Sequence, residues 1–228
     1  MAAVRVILVS DTHLSASAPR AQANWDAVVS YVGACAPDLV IHLGDLSLDG
    51  AGNAADLRYG RSQLDRLPVA WRAVPGNHDI GDNPWPGAPA GIAVDAGRHR
   101  GRQPVALITH KPVTATGTEL AAAPPYRFWP SPARGLLARL FGGTLPALVM
   151  SGHVHQYRLL RLDGTDHLWA PTTWAVLPDH AQPVLGAKQC GIVSLTLTTG
   201  NPAEHELIEP DGLEQLTVTI DLPDPYHN

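Results

Sequence analysis

Two cysteines in 228 residues, Cys35 and Cys190, are too few and too far apart to staple a fold. Their apolar contexts (YVGACAP and AKQCGIV) read as reduced thiols. Charge is also thin: 16% of residues are Asp, Glu, Lys or Arg, and the net balance is −5. That balance counts against a polynucleotide backbone as partner, though not against a small anion held by metal. No apolar run reaches the roughly 18 residues that a membrane span needs. Strand signal begins at Val4 (VRVILVS), leaving no space before it for a leader peptide, so a cytoplasmic location is expected. Against these shortages stand 45% hydrophobic residues, enough for a buried core, and 21 glycines with 21 prolines that punctuate the chain. There are also 11 histidines beside only 16 lysines and arginines, an excess that needs a physical cause.

The pattern alternates strands and helices. Val4–Ser10 and Asp38–Gly44 read as buried strands, and Val69–Val74 as a third. Between them, Trp25, Val28, Val29, Val32 and Ala36 mark one face of a helix over 20–36, stopped by Pro37. A second helix over 53–67 carries Leu57, Leu64 and Leu67 on one side. This order predicts right-handed crossovers and a largely parallel sheet. Residues 81–103, rich in Pro and Gly and holding Arg98, His99, Arg100 and Arg102, read as a surface loop. Strand 104–109 follows, then a loop over 112–130. Next comes a helix with Ser131 as N-cap, Pro132 first, and Leu136, Leu137, Leu140 and Phe141 as its buried face. Strand 145–151 is followed by a hairpin, 157–162 with 167–170, turning at Asp163-Gly164. Strands 192–198, 204–208 and 213–222 complete the chain, which reads as two sheets with helices outside, in one domain.

Polar clusters sit at the strand ends: Asp11-Thr12-His13, Gly44-Asp45, Gly76-Asn77-His78-Asp79, His110 and Gly152-His153-Val154-His155. Asp11, Asp45, Asn77 and His110 follow one another at intervals of 34, 32 and 33 residues, the length of one strand plus its crossover. The clusters are therefore expected at the carboxyl edge of one sheet, where open α/β sheets bind ligands. Carboxylates, imidazoles and an amide oxygen suit Mn, Fe, Zn, Ni or Co, and the lack of a thiol argues against structural zinc. Seven ligands are too many for one catalytic ion with an open position. They suit two ions sharing a carboxylate, roughly 3.5–4 Å apart. His78 is left over and could face a leaving group.

Taken in order, these segments resemble the signature of the calcineurin-like metallophosphoesterase superfamily, from residue 4 to about 160. SDTHL and GDLSLDG are most similar to its bacterial class III cyclic-nucleotide phosphodiesterases. The resemblance implies a four-layer αββα sandwich of two mixed β-sheets flanked by helices. It implies two transition-metal ions, the first bound by Asp11, His13 and His155 and the second by Asn77, His110 and His153, with Asp45 bridging. His78 would stabilise the transition state or protonate the leaving oxygen. The implied activity is hydrolysis of a small phosphodiester, cyclic nucleotides being candidates; the rivals are a phosphomonoesterase, a nuclease, and a metal-bound interaction scaffold without turnover. Two departures bear on substrate choice. The stretch from Asn77 to His110 is shorter than in many class III enzymes, and Lys111-Pro112 stands where the family often has a second histidine and proline. Residues 1–228 are expected to form one domain, with ligand loops within 11–155 and antiparallel strands across 157–222.

Blander expectations accompany these. Asp79 is expected to support the His78 loop through hydrogen bonds, and His42 to be a satisfied interior group. His99, His167, His180, His205 and His227 are expected at the surface. Trp85 and Trp129 lie on loops after ligand-bearing strands, where either could stack on a base, although plain packing is the better expectation. Lys111 and the 98–102 cluster could steer an anion, against the alternative of a solvated loop.

Overall fold

Val6 and Leu8 face one side of the first strand and Ile7 and Val9 the other, and that alternation sorts the layers of the molecule. The structure, a computed structural model, describes residues 3–81, 105–124 and 126–218. Strand β1 (Ala3–Val9) pairs in parallel with β2 (Leu39–His42), which pairs in parallel with β3 (Trp71–Ala73). On its other side β1 pairs antiparallel with β8 (Ile192–Thr198), and β8 with β9 (Glu204–Ile208). The first sheet thus runs β3-β2-β1-β8-β9. The second runs β4-β5-β7-β6, from β4 (Ala106–Ile108), β5 (Leu148–Ser151), β7 (Thr165–Trp169) and β6 (Arg158–Leu162). β4, β5 and β7 are parallel, and β6 is antiparallel to β7.

Helix α1 (Pro19–Cys35) begins on a proline, whose missing N–H costs nothing in the first turn. It ends where Ala36 turns left-handed at φ 44° before Pro37. Its Trp25, Val28 and Val32 pack with Ile7, Val9 and Val40 and with Leu64 of α2 (Ala54–Leu64) on the outer face of the first sheet. Between the sheets, Val6, Leu8, Ile41, Leu43, Val193 and Leu195 meet Met150, Leu168 and Ala170. Outside the second sheet, Leu137 of α5 (Ser131–Leu140) packs on Leu107, Val149, Val113 and Trp129. The order is helix, sheet, sheet, helix: a four-layer αββα sandwich. Truncating a residue of the inner layer such as Leu8 to Ala should cost about 2–5 kcal/mol. No helix among the described residues is long and apolar enough to cross a membrane.

Several expectations are corrected. The strands that end in the polar clusters belong to two sheets, because β4 and β5 pair with each other and not with β3. The interval of 33 residues before His110 matched a crossover in length, yet it carries the chain from one sheet to the other. The 112–130 loop contains helix α4 (Gly117–Ala122), opened by a reciprocal cap between Thr116 and Glu119. In α5 the N-cap is Pro130 and not Ser131, and only Leu137 is buried; Leu136 and Leu140 are 52% and 58% exposed. Leu57 is likewise exposed. Helical spacing finds an apolar stripe but does not tell which part of it a sheet covers. Within 213–218, Thr217 makes an isolated bridge to Val176 where a strand was expected, and 219–222 lie outside the described residues. Residues 82–104, with Trp85 and the basic cluster, also lie outside them, as does His227.

Candidate metal centre

The polar clusters sit where the strands stop, and the backbone there is unusual. Asp11, His13, Asp45, His153 and His155 all have positive φ, between 43° and 68°. Each such turn costs a residue bearing a β-carbon about 1–2 kcal/mol, a strain that persists where surrounding contacts fix it. Those contacts are visible. A β-carbon on Gly152 would collide with the Ser10 hydroxyl and the Asp11 carboxylate, and one on Gly76 with the Asp45 carboxylate. Glycine therefore lets both carboxylates lie against backbone. Asp11 Oδ2 accepts from the His153 N–H at 2.9 Å and from Ser10 Oγ at 2.5 Å, while Asp45 Oδ1 accepts from the His78 N–H at 2.8 Å.

The remaining carboxylate oxygens meet imidazoles. His155 Nε2 is 3.3 Å from Asp11 Oδ1 and 3.4 Å from His13 Nε2. His110 Nε2 is 3.2 Å from Asp45 Oδ2 and 3.2 Å from Asn77 Oδ1. His13 Nε2 is 3.9 Å from Asp45 Oδ2. Three overlapping trios each offer ligand atoms within 4.8 Å of one another: Asp11, His13 and His155; His13, Asp45 and His78; Asp45, His110 and His153. Asp45 and His13 join them into one centre.

Whether this set fits metal ions is decided by the far side of each ring. His155 Nδ1 donates to Ala175 O (2.7 Å), His110 Nδ1 to Leu43 O (2.9 Å) and His78 Nδ1 to Leu48 O (2.6 Å). A carbonyl can only accept, so in the neutral ring each Nε2 keeps its lone pair and faces inward. His153 is reversed: its Nε2 donates to Tyr126 O at 3.2 Å, leaving Nδ1 as the bare atom. Lone pairs and carboxylates converging on one spot require positive charge. Borderline nitrogen and hard oxygen donors fit divalent transition ions.

In the protein alone, protons supply part of that charge. Burial pushes the His110 pKa down, but the Asp45 carboxylate beside it wins and raises it to about 9. His155 is likewise depressed by burial yet raised overall by Asp11. Burial raises Asp11 and Asp45, but His155 holds the first and His110 the second well below the usual carboxylate range. His13 is lowered by burial and by His78, and His153 by burial, His110 and Lys111.

Asp79 does what its position suggested. Its carboxylate accepts from the N–H groups of Leu46, Ser47 and Gly76 and from Ser47 Oγ, at 2.7–3.1 Å, and ties the Asp45 loop to the Asn77-His78 turn (α3, Asn77–Ile80). His42 is fully buried: its Nδ1 accepts from Gly44 N–H, and its Nε2 meets Thr12 Oγ1 at 3.0 Å. Lys111 is half-buried beside His110. Trp129 is packed in the core beside α5, so it is not free to stack on a base. His180 is exposed and His205 bonds the Tyr157 hydroxyl, but His167 is 2% exposed, which corrects its surface placement. Sequence reasoning missed the segment Thr172–Ala175 and the Tyr126 carbonyl, both in contact with the centre. They act through backbone and ring faces, which leave no motif.

The sequence profile of the calcineurin-like phosphoesterase superfamily domain matches residues 4–200. No curated protein sequence matches the chain. Among solved structures, the fold is similar to a dimetal phosphatase from Danio rerio (TM-score 0.60, 13% identity, covering 90% of this chain and 95% of that one). It is similar as well to purple acid phosphatase PPD1 from yellow lupin seeds (TM-score 0.59, 13% identity, covering 94% of this chain and 52% of that one). A third likeness is to GAP50, the anchor in the inner membrane complex of Plasmodium (TM-score 0.59, 10% identity, covering 100% and 93%). At these identities the likeness is one of fold.

Proposed function

The chain belongs to the calcineurin-like phosphoesterase superfamily, and on that premise we propose that it is a dinuclear-metal hydrolase of small phosphodiesters, cyclic nucleotides among the candidate substrates. The observation that carries this reading is that the three trios are joined through His13 and Asp45, with carbonyls turning Nε2 of His110 and His155 inward. Asp11, His13 and His155 would hold the first ion and Asn77, His110 and His153 the second, with Asp45 available to both. Bound there, two such ions supply Lewis-acid stabilisation of the phosphoryl oxygens and a water nucleophile near neutral pH.

The chain's own groups do the rest. Backbone N–H groups hold both carboxylates: the His78 N–H takes Oδ1 of Asp45, and the His153 N–H is shared between the two oxygens of Asp11. Asp79 locks the loops that carry Asp45 and His78 to one another. His78 gives its Nδ1–H to Leu48 O, so Nε2 is the atom that would carry the second proton of the imidazolium and pass it to the leaving oxygen, returning the ring to its neutral form. The acidic net charge favours a small substrate over a polynucleotide. The same reading takes residues 1–228 as one phosphoesterase domain.

The test is a manganese-supplemented assay across a monoester, an activated diester, 3′,5′-cyclic AMP, 2′,3′-cyclic AMP and single-stranded DNA. Preference for diesters is expected. Preference for the monoester or the DNA would move the protein to another branch of phosphoester hydrolysis. Full metal occupancy with no turnover would make it a scaffold.

A further inference from the structure

One four-residue segment touches every residue assigned to the first metal position, and no motif in the sequence contains it. Thr172 Oγ1 donates to the Asp11 carbonyl at 2.9 Å, and the Trp174 N–H reaches the same oxygen at 3.3 Å. The Trp174 ring lies 4.5 Å from the His13 ring, tilted by 44°, and 6.1 Å from His155 at 79°. The Ala175 carbonyl receives the His155 Nδ1–H.

The segment is itself anchored from outside the centre. Asn24 Nδ2 of α1 donates to Thr173 O at 2.9 Å and also to Glu214 O. Val176 N–H donates to Leu216 O, and Val218 N–H to Val176 O, each at 2.9 Å. The indole, 2% exposed, packs with Ala21, Ala175, Leu216 and Val218.

His13 differs from His110 and His155 in a way that gives the indole a task. Carbonyls orient those two rings, but His13 Nδ1 is buried with no hydrogen-bond partner among the described residues. Its orientation must come from ring packing, and the rings packed on it are Trp174, His78, edge-on at 4.5 Å and 87°, and, farther off at 5.3 Å, His155. Trp174 Nε1 is also buried without a partner among the described residues. An indole kept there without its hydrogen bond is kept for its ring.

We propose that Thr172–Ala175 is a positioning strap for the first metal position and that Trp174 fixes the His13 imidazole in the orientation that binds the ion. The inference rests on the reading of Asp11, His13 and His155 as ligands.

The test is calorimetric titration of the metal-free full chain with Mn²⁺, for the wild type, Trp174→Leu, Trp174→Phe and Thr172→Val, beside thermal melts of each. Trp174→Leu should weaken one of the two sites by about 10- to 100-fold, the usual cost of losing a group that orients a ligand, and leave the other unchanged. Trp174→Phe keeps an aromatic face on His13 and should recover most of that loss. Binding of both ions by Trp174→Leu with wild-type affinity would overturn the proposal. So would equal weakening of both sites. If Trp174→Leu does not fold, Thr172→Val decides: selective weakening of the same site supports the strap, and unchanged binding overturns it. A wild type that takes up no ions would overturn the functional reading along with the strap, whereas a wild type with two ions and no strap effect would leave the functional reading standing.

Discussion

Asp11, His13 and His155 are at most 1% exposed, and the Thr172–Ala175 strap touches all of them. Asn77 and His153, in the other half of the centre, are only half-buried; His153 leans on the carbonyl of Tyr126, a residue 60% exposed. Both halves draw on a deeply buried carboxylate: Asp11 belongs to the first half, and Asp45, 1% exposed, lies between the two. Their walls differ. The first half is held by the strap, itself tied to Asn24 of α1, whereas in the second only His110 is buried. A buried, prefixed ligand set loses little entropy on binding and excludes water. A half-exposed one leaves room for a substrate oxygen. The comparison assigns preorganisation to the first position and access to the second.

The largest expected effect comes from removing what the halves share. Asp45→Ala should lower turnover by about 10³-fold or more, the scale of losing a charge-stabilising group, and metal analysis should find fewer than two ions per chain. Asn77→Ala separates the halves. It should also abolish turnover yet retain the first ion, so full activity with two ions per chain would remove Asn77 from the ligand set.

Smaller effects follow pH. His110 of the second half is raised to about 9, after Asp45 overcomes the lowering by burial. It therefore stabilises the metal-free fold fully below pH 6.5, and that contribution is lost as pH rises through 9. If His110 is a ligand as proposed, metal uptake at pH 7 should expel its proton, which calorimetry in buffers of different ionisation enthalpy would count. His42, held by burial at about 4, works in the opposite sense. Its contribution is present above pH 6.5 and is lost as pH falls through 4, so melts of the metal-free protein should show an acid limb that His42→Gln weakens. The smallest expected effect is Thr12→Val, which removes a hydroxyl bonded to Leu46 O and His42 Nε2. A loss of about 1–3 kcal/mol in a denaturant titration, with little change in metal stoichiometry, would mark it as a brace of the first half.

Much of this centre was legible before any coordinates. Asp11, His13, Asp45, Asn77, His78, His110, His153 and His155 come together, because a strand's end fixes where the next residue emerges and a metal ligand must be one of few residue types. The Asp163-Gly164 turn was equally plain, since its left-handed pair, φ 49° and 80°, favours such residues. The cap of α4 was present as Thr116-x-x-Glu119 but passed over. The buried face of α5 was misjudged because Leu136, Leu137 and Leu140 are equally apolar and only the sheet beneath decides which is covered.

Local chemistry is thus what the sequence determined: which residues can bind, and where most of the strands and helices lie. Tertiary structure alone decided that the candidate ligands come from two sheets, that His167 is interior, and that a tryptophan far along the chain rests on His13. The reason is range. Strand period, caps and turn residues act over a few positions, whereas the pairing of β4 with β5 and the packing of Trp174 depend on surfaces that exist only once the layers have met.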